Sequence, residues 1–267
     1  MSEAPIRQPL PVYDHPVELA ILARLHSQGP QLVRQYISAN TIAGAVYIAR
    51  DKAKELFTEY RENPTLHNRH ADAAASAIAD AARRTILQQP PSGNRNLLML
   101  VTGCPASGKT VSIGPEVGRR VEIEHETILT SYPRAQELIR QAIAAERFPI
   151  VRLHYTDDPR INVRRMILRA LKFGRTVPLR YMAETYVGVP SIVNSLTQEF
   201  GSPLAIRVVN NSKLPEQADH HNDLARALAH VNRYTQRQAL EAMNGELEEL
   251  TVRHTIPSAI LEEARRA

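Results

Sequence analysis

Hydrophobic positions recur at two periods along the chain, and the switch between them divides it. Residues 1 to 16 carry Pro5, Pro9, Pro11 and Pro16 and read as an extended leader. Val17 to Ser27 and Gln31 to Glu62 follow the helical period. In the second stretch Val33, Ile37, Ala45, Ile48, Leu56 and Phe57 fall near that spacing, Gly44 is a possible break and Asn63-Pro64 a stop. His70 to Gln89 is alanine-rich, lacks strand formers and predicts a packed helix ending before Pro90-Pro91. The pattern then changes. Leu97 to Val101 is a continuous apolar strand, and Val121 to Thr127 alternates, with Glu122, Glu124 and Glu126 on one side of the pleat. Tyr132 to Glu146 predicts a helix and Ile150 to Tyr155 a strand. Pro159 to Phe173 predicts a helix with Asp157 or Asp158 as cap and Gly174 beyond its end. Met182 to Phe200 predicts a helix in two pieces, interrupted near Gly188 and Pro190, and Ala205 to Val209 is the last clear strand. From Lys213 to Ala267 the chain is polar with helical spacing and reads as a solvated helical appendage; the adjacent His220 and His221 would diverge on a helix and not share a metal easily.

Strands alternating with helices predict an α/β fold with a parallel sheet flanked by helices. The expected organisation is a leader (1–16), an N-terminal helical region (17–90), a core (91–212) and a C-terminal helical tail (213–267). In such sheets ligands sit at the carboxyl ends of the strands. That rule puts Gly103 to Thr110, Glu126-Thr127, Asp157-Asp158 and Asn210-Asn211 along one edge.

Composition narrows the class. At 43% hydrophobic residues the chain can bury a sizeable interior. No apolar run approaches the roughly 18 residues of a membrane span, and the N-terminus lacks the charged-then-apolar order of a secretion signal. The expectation is a soluble, cytoplasmic protein without a membrane partner. The single cysteine, Cys104, excludes an intramolecular disulfide and a cysteine-rich zinc site. A net charge of +5 suits an anionic partner, but with 5% aromatic residues a base-stacking surface has little support, and nucleic acid is not the expected partner.

The strand Leu97 to Val101 runs into Gly103-Cys104-Pro105-Ala106-Ser107-Gly108-Lys109-Thr110, which matches G-x-x-x-x-G-K-[ST]. Small residues at these positions leave successive backbone N–H groups facing one concavity that can hold a polyphosphate. Lys109 would reach the β- and γ-phosphates and the Thr110 hydroxyl would ligate Mg²⁺, which makes ATP and Mg²⁺ the expected cofactors and the core P-loop NTPase/kinase-like. Because Gly114, Pro115 and Gly118 follow, any helix after the loop must be short, ending near Ile113. Asn210, at the end of its strand, joins the nucleotide-binding set.

Other residues complete a phosphoryl-transfer inventory. Arg164, Arg165, Arg169, Lys172 and Arg175 form a basic cluster in which Arg165, Arg169 and Lys172 share a helix face. Such a run alone usually means solubility, but an Arg fork matches phosphate oxygens, and Arg169 and Arg175 are the candidates for that role. Glu126 is the candidate carboxylate for a substrate hydroxyl or the metal shell, with Thr127 adding a hydrogen bond and Glu124 a competitor on the same face. For Asp157-Asp158, helix capping is a cheaper explanation than metal binding.

Together GCPASGKT, Glu126-Thr127, IVRLHY before DDP, RRMILRALKFGRTVPL, VPSIVNSL and IRVVNNS resemble the zeta-toxin family of P-loop kinases, over roughly Arg69 to Ser212. The resemblance implies a cytotoxic kinase that moves the γ-phosphate of ATP onto a nucleotide-sugar hydroxyl, typically that of UDP-N-acetylglucosamine, and is usually restrained by an antitoxin. By the same resemblance Lys109 and Thr110 would bind phosphate and Mg²⁺, Arg169 and Arg175 would clamp the transferring group, and Glu126-Thr127 would meet the substrate. One departure stands out. The family has a strand bearing an aspartate base, then a helical segment, between the loop helix and the Glu-Thr strand; here Val111 to Val121 is too short for both. Three readings stay open: a toxin-like kinase acting on a nucleotide sugar or the ribose of a dinucleotide, a metabolic or resistance kinase of the same fold, and a nucleotide-dependent interaction protein without turnover.

Overall fold

The computed structural model describes residues 4–109, 120–174, 176–213 and 217–266. Thr110, Arg175 and the expected short helix after the loop lie outside them. The chain forms two compact units, one of Met1–Met99, Pro115–Thr127 and Gln141–Phe148, the other of Leu100–Gly114, Ile128–Arg140 and Pro149–Ala267.

The first unit opens with α1 (Pro16–Ala39), capped by His15, whose Nδ1 accepts from Val17 N at 3.2 Å. The expected gap between two helices is absent. Pro30 sits inside α1 on its exposed side, where the carbonyl left without an N–H donor can face water, and Gly29 is covered by Ile6. The expected helix to Glu62 is also corrected. Thr41–Ile42 (β1) and Ala45–Ala49 (β2) form an antiparallel hairpin whose two connecting residues, Ala43 and Gly44, both have positive φ (49° and 83°). That backbone gives a turn whose twist matches paired strands, and the run Val46-Tyr47-Ile48 supplies the β-formers. Short helices α2 (Arg50–Lys54), α3 (Thr58–Glu62) and α4 (Pro64–His67) lead to the alanine-rich α5 (Asp72–Leu87), which packs on α1 and α2. The region expected to be all helical thus contributes two strands.

Beyond it come β3 (Leu97–Gly103), β4 (Val121–Glu126), α6 (Tyr132–Ala144), β5 (Phe148–Tyr155), α7 (Pro159–Phe173), α8 (Leu179–Phe200) and β6 (Ala205–Asn210). The expected two-piece helix over 182–200 is one helix. Its Pro190 is buried beside Val189, Val193 and Leu196, and tertiary packing outweighs the lost backbone bond. The seven-stranded sheet has the order β1-β2-β4-β3-β5-β6-β7, β7 being Asp219–His221. Pairs β2/β4 and β5/β6 are parallel, while β1 and β7 run antiparallel at the edges. The start of β3 takes a bond from the start of β5 (Phe148 N to Asn96 O, 2.7 Å), and its end lies against His154, so these two also run the same way.

The C-terminal segment is not the solvated appendage expected from its polarity. His220 and His221 lie in β7, paired with Val209 and Val208 of β6. After α9 (Leu224–Val231), α10 (Gln236–Arg253) packs along α7 and α8 and buries Ala239, Met243 and Leu247. The chain closes with α11 (Ser258–Arg265). Among the described residues no helix is long and apolar enough to cross a membrane.

Candidate functional site

β3 is buried from Leu98 onward and delivers the chain into the loop Cys104 to Lys109. Three loop residues have left-handed φ: Gly103 (143°), Ala106 (61°) and Gly108 (91°). At Gly103 a Cβ would stand 2.2 Å from the His154 carbonyl oxygen, so only glycine lets the end of β3 close against β5. At Gly108 a Cβ would stand 2.8 Å from Asn211 Nδ2. The path therefore leaves room for backbone where any side chain would intrude. Lys109 is buried, and its Nζ donates to the carbonyls of Gly103 (3.1 Å) and Cys104 (3.0 Å). Ser107 Oγ is buried with no hydrogen-bond partner, and Pro105, two residues earlier, is buried as well. Cys104 is packed rather than reactive: its Sγ donates to Met182 O, and burial pushes its thiol up to about 11.

Two residues brace this loop: Asn211, which the strand-end rule places on the ligand edge, and His154, which sequence reasoning did not single out. Asn211, just past β6, donates from Nδ2 to Ser107 O at 2.6 Å and lies 3.0 Å from His154 Nδ1. An amide has two N–H groups; with one on Ser107 and the other on His154, Nδ1 of the ring is the acceptor. Burial, followed by the charges of Lys109 and Arg152, holds His154 well below its ordinary value, so the ring is neutral and the brace persists. The only sequence signal was the polar triplet Asn210-Asn211-Ser212 ending an apolar strand. Asn210, the expected nucleotide contact, donates from Nδ2 to both carboxylate oxygens of Asp157 (3.0 and 3.1 Å).

The basic helix is divided in use. Asp158 caps α7 as expected, accepting from Arg160 N. Arg164 is committed to the buried Glu246 of α10 through two bonds of 2.6 and 2.8 Å, and Arg165 donates to Lys213 O. Arg169 remains, its Nε buried with no hydrogen-bond partner. Among the described residues of the cluster it is the guanidinium with a buried donor unmet.

Glu122, Glu124, Glu126 and Thr127 belong to the first unit. Glu122 accepts from Arg147 Nε at 2.7 Å and is structural. Glu124 is 4% exposed, whereas Glu126 is partly open and accepts from the hydroxyl of Tyr47. Burial first and then Glu126 raise the Tyr47 phenol, which therefore stays protonated as a donor. Tyr47 could not be found while β2 was read as helix. Thr127 follows Glu126 and is partly exposed.

Among the described residues no group of three or more His, Cys, Asp or Glu side chains is placed to hold a metal ion. No protein-family model matches the chain, and no curated protein matches it.

Proposed function

We propose that the chain is an ATP-dependent kinase of small molecules, similar in action to zeta toxins, that phosphorylates a hydroxyl of a nucleotide sugar or dinucleotide. The observation that carries this is the loop itself: left-handed turns at Gly103, Ala106 and Gly108, a buried Lys109 at its end, and an amide from Asn211 fixing its middle. The backbone path at Gly103 and Gly108, closed to side chains, and the orphaned Ser107 Oγ suit a polyphosphate. Backbone 103–109 and Lys109 would hold ATP, Thr110 would hold Mg²⁺, and Arg169 would neutralise charge on the transferring group. Bound Mg·ATP supplies the phosphoryl group and offsets its charge.

The reading is tested by incubating the protein with γ-labelled ATP, Mg²⁺, and either UDP-N-acetylglucosamine or NAD. Label on one acceptor is the expected result. ATP bound with no label on either acceptor would leave a nucleotide-dependent interaction protein instead.

Gly108→Ala tests the loop directly. The added methyl must displace Asn211 and hold a left-handed φ, which costs about 1–3 kcal/mol. Titration calorimetry should show Mg·ATP binding weakened by about tenfold. Unchanged affinity would mean that the loop does not touch the nucleotide.

A further inference from the structure

In the kinase reading the proton of the acceptor hydroxyl needs a base, and Val111 to Val121 is too short to carry the one that the resemblance implies. The second unit holds an unassigned group of the right kind. Asp157 lies two residues past the end of β5. Its carboxylate accepts both contacts from Asn210 Nδ2, its backbone N–H donates to Ser212 Oγ at 2.7 Å, and that hydroxyl donates to Asn210 Oδ1 at 2.6 Å. The carboxylate so fixed presents Oδ1 3.5 Å from Nδ1 of His230, in the last turn of α9. The Tyr155 ring packs against His230 with centroids 6.2 Å apart and meets His221 edge-on. His230 keeps 24% of its side chain exposed, so it is oriented without being sealed.

We infer that His230 is the proton acceptor of the transfer, with Asp157 and Asn210 as its positioning residues; this rests on the kinase reading above. A carboxylate at Nδ1 selects the Nδ1–H tautomer and leaves the Nε2 lone pair to act. Nε2 takes the proton of the acceptor O–H while that oxygen bonds to the γ-phosphorus. The bond from γ-phosphorus to the bridging oxygen breaks, its electron pair leaves on ADP, and Asp157 stabilises the imidazolium. At 3.5 Å the two make no hydrogen bond and Nδ1 has no other partner, so the contact must tighten when substrate binds, as catalytic contacts often do.

Placement supports the role. β5 neighbours β3, and the His154 carbonyl that lies against Gly103 is three residues before Asp157. Asn211, which holds the loop at Ser107, is the next residue after Asn210, which holds Asp157. Loop and dyad therefore stand at the same carboxyl end of neighbouring strands, the end at which such sheets bind ligands.

The test uses the full chain, its His230→Gln and Asp157→Asn variants, and γ-labelled ATP with the acceptors named above. His230→Gln should lower turnover by about 100-fold or more with Mg·ATP affinity unchanged. Independently of turnover, ¹⁵N resonances of the neutral His230 ring should report the Nδ1–H tautomer in the parent and its loss in Asp157→Asn. A His230→Gln variant with the parent's rate, or an Nε2–H tautomer in the parent, overturns the assignment. A parent that binds no ATP overturns the kinase reading instead, and the tautomer measurement distinguishes the two failures.

Discussion

Lys109→Ala should abolish phosphoryl transfer, and any host toxicity, while the protein stays folded. Nζ is held by the carbonyls of Gly103 and Cys104, so the cation is stored inside the loop whose phosphates it would meet. The neutral state of His154 matters here, because a second buried cation beside the lysine would oppose its charge. Losing one preorganised donor at a transferring group costs roughly 10²–10³ in rate, and a lysine that also anchors the ground state should cost at least that. The structural loss is smaller. Two hydrogen bonds worth about 1 kcal/mol each disappear, and a buried charge disappears with them. Labelled transfer, growth on expression and a thermal melt measured together decide the matter: a variant as active and as toxic as the parent would falsify the kinase proposal.

Glu122→Ala should strongly destabilise the fold. Arg147 and Glu122 meet at 2.7 Å with side chains 1% and 8% exposed. The guanidinium also donates to the carbonyls of Ile86, Leu87 and Ala145, while the carboxylate accepts from Ser92 N. Removing the carboxylate leaves a buried cation without its counter-charge, which costs about 3–5 kcal/mol. Denaturant unfolding should show that loss in the midpoint. Replacing both partners by apolar residues of similar volume should recover much of it, because the pair is weakly stabilising but strongly destabilising when broken. A midpoint unchanged in Glu122→Ala would show that water reaches the guanidinium.

Legibility in the sequence followed the range of the forces involved. α7 was readable to its ends because a capping aspartate, a first-turn proline and a terminal glycine act within a few residues. β3 and β5 were readable as apolar runs. The hairpin of β1 and β2 was not, since Ala45 and Ile48 also satisfy helical spacing and what decides the matter is the pairing of β2 with β4, some 75 residues away. The gap between Ser27 and Gln31 and the interruption near Pro190 are absent because Pro30 faces solvent and Pro190 is held by packing, which lets both helices continue. The polarity of α10 concealed its burial because Glu246 is matched by Arg164 rather than by water. Of the candidate site, the loop was legible by spacing alone. The bracing roles of Asn211 and His154 were not, because they depend on which strands are neighbours.

The pairing of β2 with β4 also bears on how the protein is made. β2 ends at Ala49 and β4 only at Glu126, so on the ribosome the hairpin waits for about 75 further residues before its inner edge has a partner. At about 5–20 residues per second that is roughly 4–15 seconds, with the inner edge of Val46-Tyr47-Ile48 exposed throughout. Unpaired apolar strand edges invite pairing with other chains. Expression at lower temperature, or with chaperones that shield nascent strands, would protect that interval, and truncation before Val121 would make it permanent.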